Sequence, residues 1–152
     1  MKSLVIVHSY HHKNTEKIAN VIAENLNADL KYPKDVNINE IQNYDIVGFG
    51  AGIDTGKHYR PMLELAKSIP TVNNGKAFIF STSGIWTKKK QVKDHKALRD
   101  ILISKGYDII GEFGCLGHDT VSFLKYFGGI NKGRPNGEDL ENARQFALTL
   151  NI

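Results

Sequence analysis

Five short apolar runs, separated by segments of helical period, constrain this chain more than any other feature. Leu4–Val7 is continuous and rich in branched residues, as a strand buried on both faces should be. Ala28–Tyr32 is a shorter run ended by Pro33, DIVGFG (Asp45–Gly50) a third, AFIFS (Ala77–Ser81) a fourth and YDIIGEFG (Tyr107–Gly114) a fifth. Between the runs, Ile18, Val21, Ile22 and Leu26 repeat at helical spacing. Pro61 suits the first turn of a helix PMLELAKSI. A further helix is expected with Val92, Leu98, Ile101 and Leu102 inward, ended by Gly106. A last one opens at Asn136, with Asp139 placed for a near capping box, and should bury Leu140, Ala143, Phe146, Ala147 and Leu150. Strands alternating with helices predict a parallel sheet with helices on both faces.

A chain of 152 residues suits one domain, residues 1–152, and can bury most of its unfolded surface without a staple. Cys115 is its single cysteine, so no internal disulfide forms and a reducing, cytoplasmic setting is expected. Leu4–Val7 is too short for the core of a signal peptide, and no run approaches a membrane span, so no membrane partner is expected. The net charge of +4 favours an anionic partner. Nucleic acid is not expected, because no recognised motif is present and the aromatics do not interleave with the basic residues as a stacking surface would.

In open sheets of this kind, ligands sit beyond the C-terminal ends of the strands, where the strand order reverses. The first, third and fourth runs lead there into SYHHKNT, AGIDTGKHYR and TSGIWTKKK. In the first loop, the backbone N–H groups and dipole of the following helix favour an anion. Asn14 and Thr15 add side-chain donors, Lys13 a full charge, and His11 or His12 a further hydrogen bond. That set suits a phosphate monoester. The alternative is ordinary capping, with Asn14 or Thr15 closing the helix and the histidines solvated. A metal reading of His8, His11 and His12 lacks any usual zinc spacing, and no metal is expected. GFGAGI, from Gly48 to Ile53, starts like a dinucleotide fingerprint but has Ile53 at the final glycine. GIDTGKH, from Gly52 to His58, is one residue short of a phosphate-binding P-loop and has His58 where Ser or Thr must hold magnesium.

These residues together resemble the flavodoxin-like family of FMN-binding proteins. The family's phosphate loop reads approximately [ST]-x-T-G-N-T, and here the matching stretch is Tyr10-His11-His12-Lys13-Asn14-Thr15 with Ser9 before it. Lys13 stands at the family's glycine, and His12 at its second threonine. QNYDIVGFGAGI is similar to the family's third strand and ring loop, AFIFSTSGIW to its fourth strand and loop, and GINKGRPNGEDLENARQFA to the C-terminal region of a small subgroup. The resemblance implies a three-layer, doubly wound α/β fold with a five-stranded parallel sheet in the order 2-1-3-4-5, which is the order of flavodoxin itself.

It further implies a non-covalent FMN. Its phosphate would lie in Ser9–Thr15. One wall of the ring site would come from Gly52–Tyr59, with Ile53, His58 and Tyr59 as contacts. The other would come from Ser81–Thr87, with Trp86 as the aromatic contact, hydroxyls of Ser81, Thr82 and Ser83 for the ribityl chain, and Gly84 for close approach. The work expected is electron transfer between redox partner proteins, with no catalytic residue of its own. Lys88, Lys89 and Lys90 follow the ring loop and could dock an acidic partner, or form a solvated helix start. The runner-up is an FMN-dependent NAD(P)H:quinone-type reductase. A reading of another class is a flavin-free module that binds a different phosphate in the His/Lys loop. Cys115 reads as an inert small hydrophobe, and His95 as a helix-surface residue.

Overall fold

In the computed structural model, which describes residues 1–10, 13–117 and 133–150, the chain alternates strand and helix as its apolar periods dictate. The elements are β1 (Ser3–His8), α1 (Asn14–Leu26), β2 (Asp29–Lys31), β3 (Ile46–Asp54), β4 (Lys57–His58), α2 (Arg60–Ser68) and β5 (Gly75–Ser83). They continue with α3 (Lys88–Asp94), α4 (Lys96–Ser104), β6 (Tyr107–Leu116) and α5 (Gly137–Thr149). The sheet order is β2-β1-β3-β5-β6, and every neighbouring pair on that path is parallel. This is the expected 2-1-3-4-5 arrangement with one addition. The two-residue β4 folds back antiparallel on the end of β3 and stands off the path.

The continuous apolar runs are explained by burial on both faces. Leu4 and Ile6 pack in one layer with Phe49, Met62, Ile79 and Leu98, under α2 and α4. Val5 and Val7 pack in the other with Ile18, Ile22, Phe78, Phe80 and Ala143, under α1 and α5. Gly50 pairs with Phe80 across β3 and β5, and a Cβ on Gly50 would lie 2.1 Å from a carbon of the Phe80 ring. That ring is fully buried and has nowhere to move. Gly50→Ala is therefore expected to cost about 3 kcal/mol of stability by overpacking, read as a lower urea midpoint with unchanged slope.

Asn136 and Asp139 form the capping box of α5, with Asp139 N–H donating to Asn136 Oδ1 at 3.0 Å and Asn136 N–H to Asp139 Oδ2 at 2.8 Å. On α5, Ala143, Ala147 and Leu150 are buried while Leu140 and Phe146 are half-buried against the same cluster. The helix expected before Gly106 is divided at His95. The backbone ladder continues through it, with His95 N–H on Gln91 O at 3.0 Å and Arg99 N–H on His95 O at 2.8 Å. Val92, expected inward, is 54% exposed. The face that turns inward on α3 is polar, Gln91 and Asp94, and continues through His95 to Leu98 and Leu102.

Candidate functional site

β1 has β2 on one side and β3 on the other, so the strand order reverses there. Beyond the C-terminal ends of β1, β3 and β5 lies a cleft of about 420 Å³, within the range of small-molecule sites. The loop after β1 contributes Tyr10, Asn14 and Thr15, and the end of β3 with its hairpin contributes Gly52, Ile53, Asp54 and Tyr59. Arg60 and Pro61 open α2 at the rim, Thr82, Ser83 and Gly84 close β5, and Gly117 follows β6. Asp54 and Arg60 belong to the AGIDTGKHYR loop without having been singled out as contacts, and Gly117 was not marked by any motif in the sequence.

The floor is built from the β1–α1 connection. Lys13 is the residue before α1 and is left-handed, with φ 53° and ψ 39°. It occupies the conformation that glycine adopts most cheaply, at the position where the family has glycine. The helix has no side-chain cap. Asn14 and Thr15 are its first residues and do not cap it, so the capping alternative is not what forms. The N–H groups of a first helical turn lack intrahelical partners, and the dipole favours an anion there. Ser9 Oγ is buried with no hydrogen-bond partner among the described residues. Ser9 and Lys13 do not themselves line the cleft, and the orphaned Ser9 hydroxyl, in the loop that leads to the uncapped helix, is left with an unmet hydrogen bond. Thr15 is buried, and its Oγ1 lies 2.8 Å from Thr82 Oγ1, tying the floor to β5. One of the two hydroxyls donates in that bond, which leaves the other's proton for a ligand. His11 and His12 lie outside the described residues. Among the described residues no three His, Cys, Asp or Glu side chains converge as a metal site.

One wall is aromatic and includes Tyr59, the expected contact, together with Tyr10. Tyr10, 49% exposed, and Tyr59 have ring centroids 4.8 Å apart, and His8 meets Tyr10 edge-on at 4.4 Å. Tyr59 lies across Gly52, where a Cβ would come within 2.6 Å of the ring. His8 Nε2 is buried with no hydrogen-bond partner among the described residues, and burial lowers its pKa. GIDTGKH is a hairpin: Thr55 at φ 50° and Gly56 at φ 79° make a two-residue turn with both central residues at positive φ.

Three expected ring-site residues lie elsewhere. Ser81 points into the layer opposite Thr82, because successive strand residues face opposite ways, and its Oγ lies 2.7 Å from His95 Nε2. Trp86 donates its Nε1–H to Gln91 Oε1 at 2.8 Å and lines a separate groove with Cys115 and Arg134. His58 is 1% exposed, with Nε2 3.0 Å from Phe80 O, behind the hairpin rather than in the cleft. His95 is fully buried, not on a helix surface. It also reaches Glu112 Oε1 at 2.8 Å, and Arg99 grips Glu112 through Nε at 2.8 Å and Nη2 at 2.7 Å. Burial pushes the Glu112 carboxyl up, but the hydrogen bonds from His95 and Arg99 outweigh it and hold the pKa at about 2.

Lys88 and Lys89 are exposed, while Lys90 is paired with Asp94. Cys115 is 6% exposed, and burial, with Asp139 nearby, pushes its thiol up to about 12. It should therefore resist iodoacetamide in the folded protein and react fully in urea, as mass spectrometry would show. No helix among the described residues is long and apolar enough to cross a membrane.

A family model described as a flavodoxin domain matches residues 5–147. An uncharacterized protein of Methanocaldococcus jannaschii is 47% identical over 150 residues, covering 99% of this chain and 98% of that one. Among solved structures, a flavodoxin from the domain Archaea superposes with a TM-score of 0.73 at 16% identity, covering 99% of this chain and 96% of that one. The oxidised flavodoxin 2 of Bacillus cereus superposes with a TM-score of 0.71 at 17% identity, covering 97% and 96%.

Proposed function

This chain belongs to the flavodoxin domain family, and on that footing we propose that it is an electron carrier holding one non-covalent FMN. The observation that carries the reading is the β1–α1 connection, which gives the cleft Tyr10, Asn14 and Thr15. A buried, unpartnered Ser9 Oγ stands before a helix start with no side-chain cap, reached through a left-handed Lys13. In this reading the phosphate would be held by Ser9, Lys13, Asn14 and Thr15. The ribityl chain runs past Thr82, Ser83 and Gly84, and the ring lies by Gly52, Ile53, Tyr59 and Tyr10. Bound FMN supplies the electron storage that the protein's own side chains lack. These side chains would hold and orient the group in the cleft. Exposed Lys88 and Lys89 beside the Gly84 loop suit an acidic redox partner.

Turnover separates a carrier from the runner-up. FMN-loaded protein should leave NADH and NADPH unconsumed until a flavin-reducing partner protein is added. Rapid unaided oxidation of either nicotinamide, with a quinone as acceptor, would make the protein a reductase instead.

A further inference from the structure

The hairpin wall of the cleft is held from behind by His58. Its ring is buried between β5 and the junction of α3 with α4, with its centroid 4.9 Å from that of His95. Nε2 lies 3.0 Å from Phe80 O. A carbonyl can only accept, so Nε2 carries the proton and Nδ1 is the bare nitrogen. Nδ1 is buried and has no hydrogen-bond partner among the described residues. On the other side of the same two strands the cleft begins. Ile53 opposes His58 in the ladder, and Tyr59 N–H donates to Gly52 O at 3.0 Å. The turn that joins them places a β-branched residue, Thr55, in the left-handed region, which works against the hairpin's own stability. The hairpin thus depends on its anchor.

We propose that His58 is a positioning residue that latches the Gly52–Tyr59 wall against the sheet only while its imidazole is neutral, so that acid releases the wall. A second proton would create an N–H at Nδ1 with no acceptor within hydrogen-bond distance among the described residues, in a space already shared with the His95 ring. Among the surrounding charges Glu112 favours the second proton, but burial and the His95 ring outweigh it. On β6, Glu112 is engaged by His95 and by Arg99 of α4. On α3, Asp94 lies by the Gly56 turn and is paired with Lys90. Between the hairpin and α2, a cavity that His58 itself lines also carries Lys57, Asp54, Arg60, Glu64 and Lys67, an excess of positive charge. Burial, then the neighbouring His95, holds the His58 pKa at about 3. In a released hairpin the ring meets water and regains its ordinary value near 6.5. The released population should then rise about tenfold per pH unit below 6.5.

The latch stands on the hairpin alone. Its consequence for the flavin rests on the function proposed above. Hydrogen exchange of the Tyr59 amide in the full chain, corrected for the intrinsic exchange rate, reads the latch without any ligand. Between pH 6.5 and 4.5 its protection should fall about a hundredfold in the wild type. In His58→Gln, whose amide can still donate to Phe80 O but cannot titrate, it should stay nearly level. Equal pH dependence in the two proteins would overturn the proposal. So would a proton NMR titration of the wild type in which the folded-state His58 ring protonates near pH 6.5, a measurement that needs no variant. FMN that binds only the latched wall should restore Tyr59 protection at pH 4.5. If Tyr59 protection falls with acid as expected while saturating FMN leaves it unchanged, the latch is supported and the flavin assignment of the cleft fails.

Discussion

FMN is expected to bind at least a hundredfold more tightly than riboflavin, from which it differs only by the phosphate. Hydrogen bonds to a charged group contribute about 1.5–3 kcal/mol each. Two of them from the Ser9–Thr15 floor suffice for a hundredfold. Thr15→Ala should then weaken FMN about tenfold and leave riboflavin unchanged. It should also cost about 1–2 kcal/mol of stability, because the buried Thr82 hydroxyl loses its partner at 2.8 Å. Lys13→Gly separates conformation from charge. Glycine relieves the left-handed backbone at φ 53° while the cation is lost, so the fold should gain up to about 1 kcal/mol while FMN binding weakens. Isothermal titration with both flavins, and urea melts of each variant, check these outcomes. Equal affinity for FMN and riboflavin would move the phosphate out of this loop.

The second large effect is acid destabilisation centred on His58. The folded state keeps this ring neutral down to about pH 3, whereas the unfolded chain protonates it near 6.5. Between those values the unfolded state binds more protons, so stability falls as pH falls, by about 1.4 kcal/mol per unit. The whole window amounts to about 4 kcal/mol, a large share of a small domain's stability. Glu112 acts in the same direction lower down. Its carboxyl is held at about 2, so the stability it contributes is complete above its ordinary range and lost as pH drops through that value. Chemical denaturation at pH 6.5 and pH 5 should show the wild type losing about 2 kcal/mol. His58→Gln should lose less, by most of that amount. Identical losses in the two proteins would remove His58 from the acid response.

The layers of this fold are legible in the sequence because its strands are buried on both faces. Runs such as Leu4–Val7 and Ala77–Ser81 had to be continuous, and their spacing sets the parallel order. The floor of the cleft was legible for a related reason. A strand ending in a polar loop before an amphipathic helix places donors at the reversal of the sheet, whereas the left-handed turn at Lys13 carried no local signal, since lysine adopts it less cheaply than glycine. What stayed hidden is polar and buried. Gln91, Asp94 and His95 form the inward face of the α3–α4 segment, so hydropathy pointed to Val92 instead. Ser81 and Thr82 are adjacent, and only strand alternation decides that Thr82 faces the cleft while Ser81 bonds His95. Tyr59 was expected on the ring wall and lines the cleft, whereas Trp86 does not; what was hidden is the pairing of Tyr59 with Tyr10 at 4.8 Å, made by a hairpin whose Thr-Gly turn lacks the usual Asn or Asp signal. An Asn or Asp at position 55 would have marked that turn as strongly as any local pattern can.

Titration of the purified protein with FMN, followed by flavin fluorescence and visible absorption, addresses the flavin site most directly. Stoichiometric quenching that saturates at one FMN per chain, with a shifted and structured visible band, is the expected result. Unchanged fluorescence at FMN concentrations well above those of the protein, from a preparation that carries no flavin of its own, would contradict a flavin site in the cleft and leave the Ser9–Thr15 floor to another phosphate.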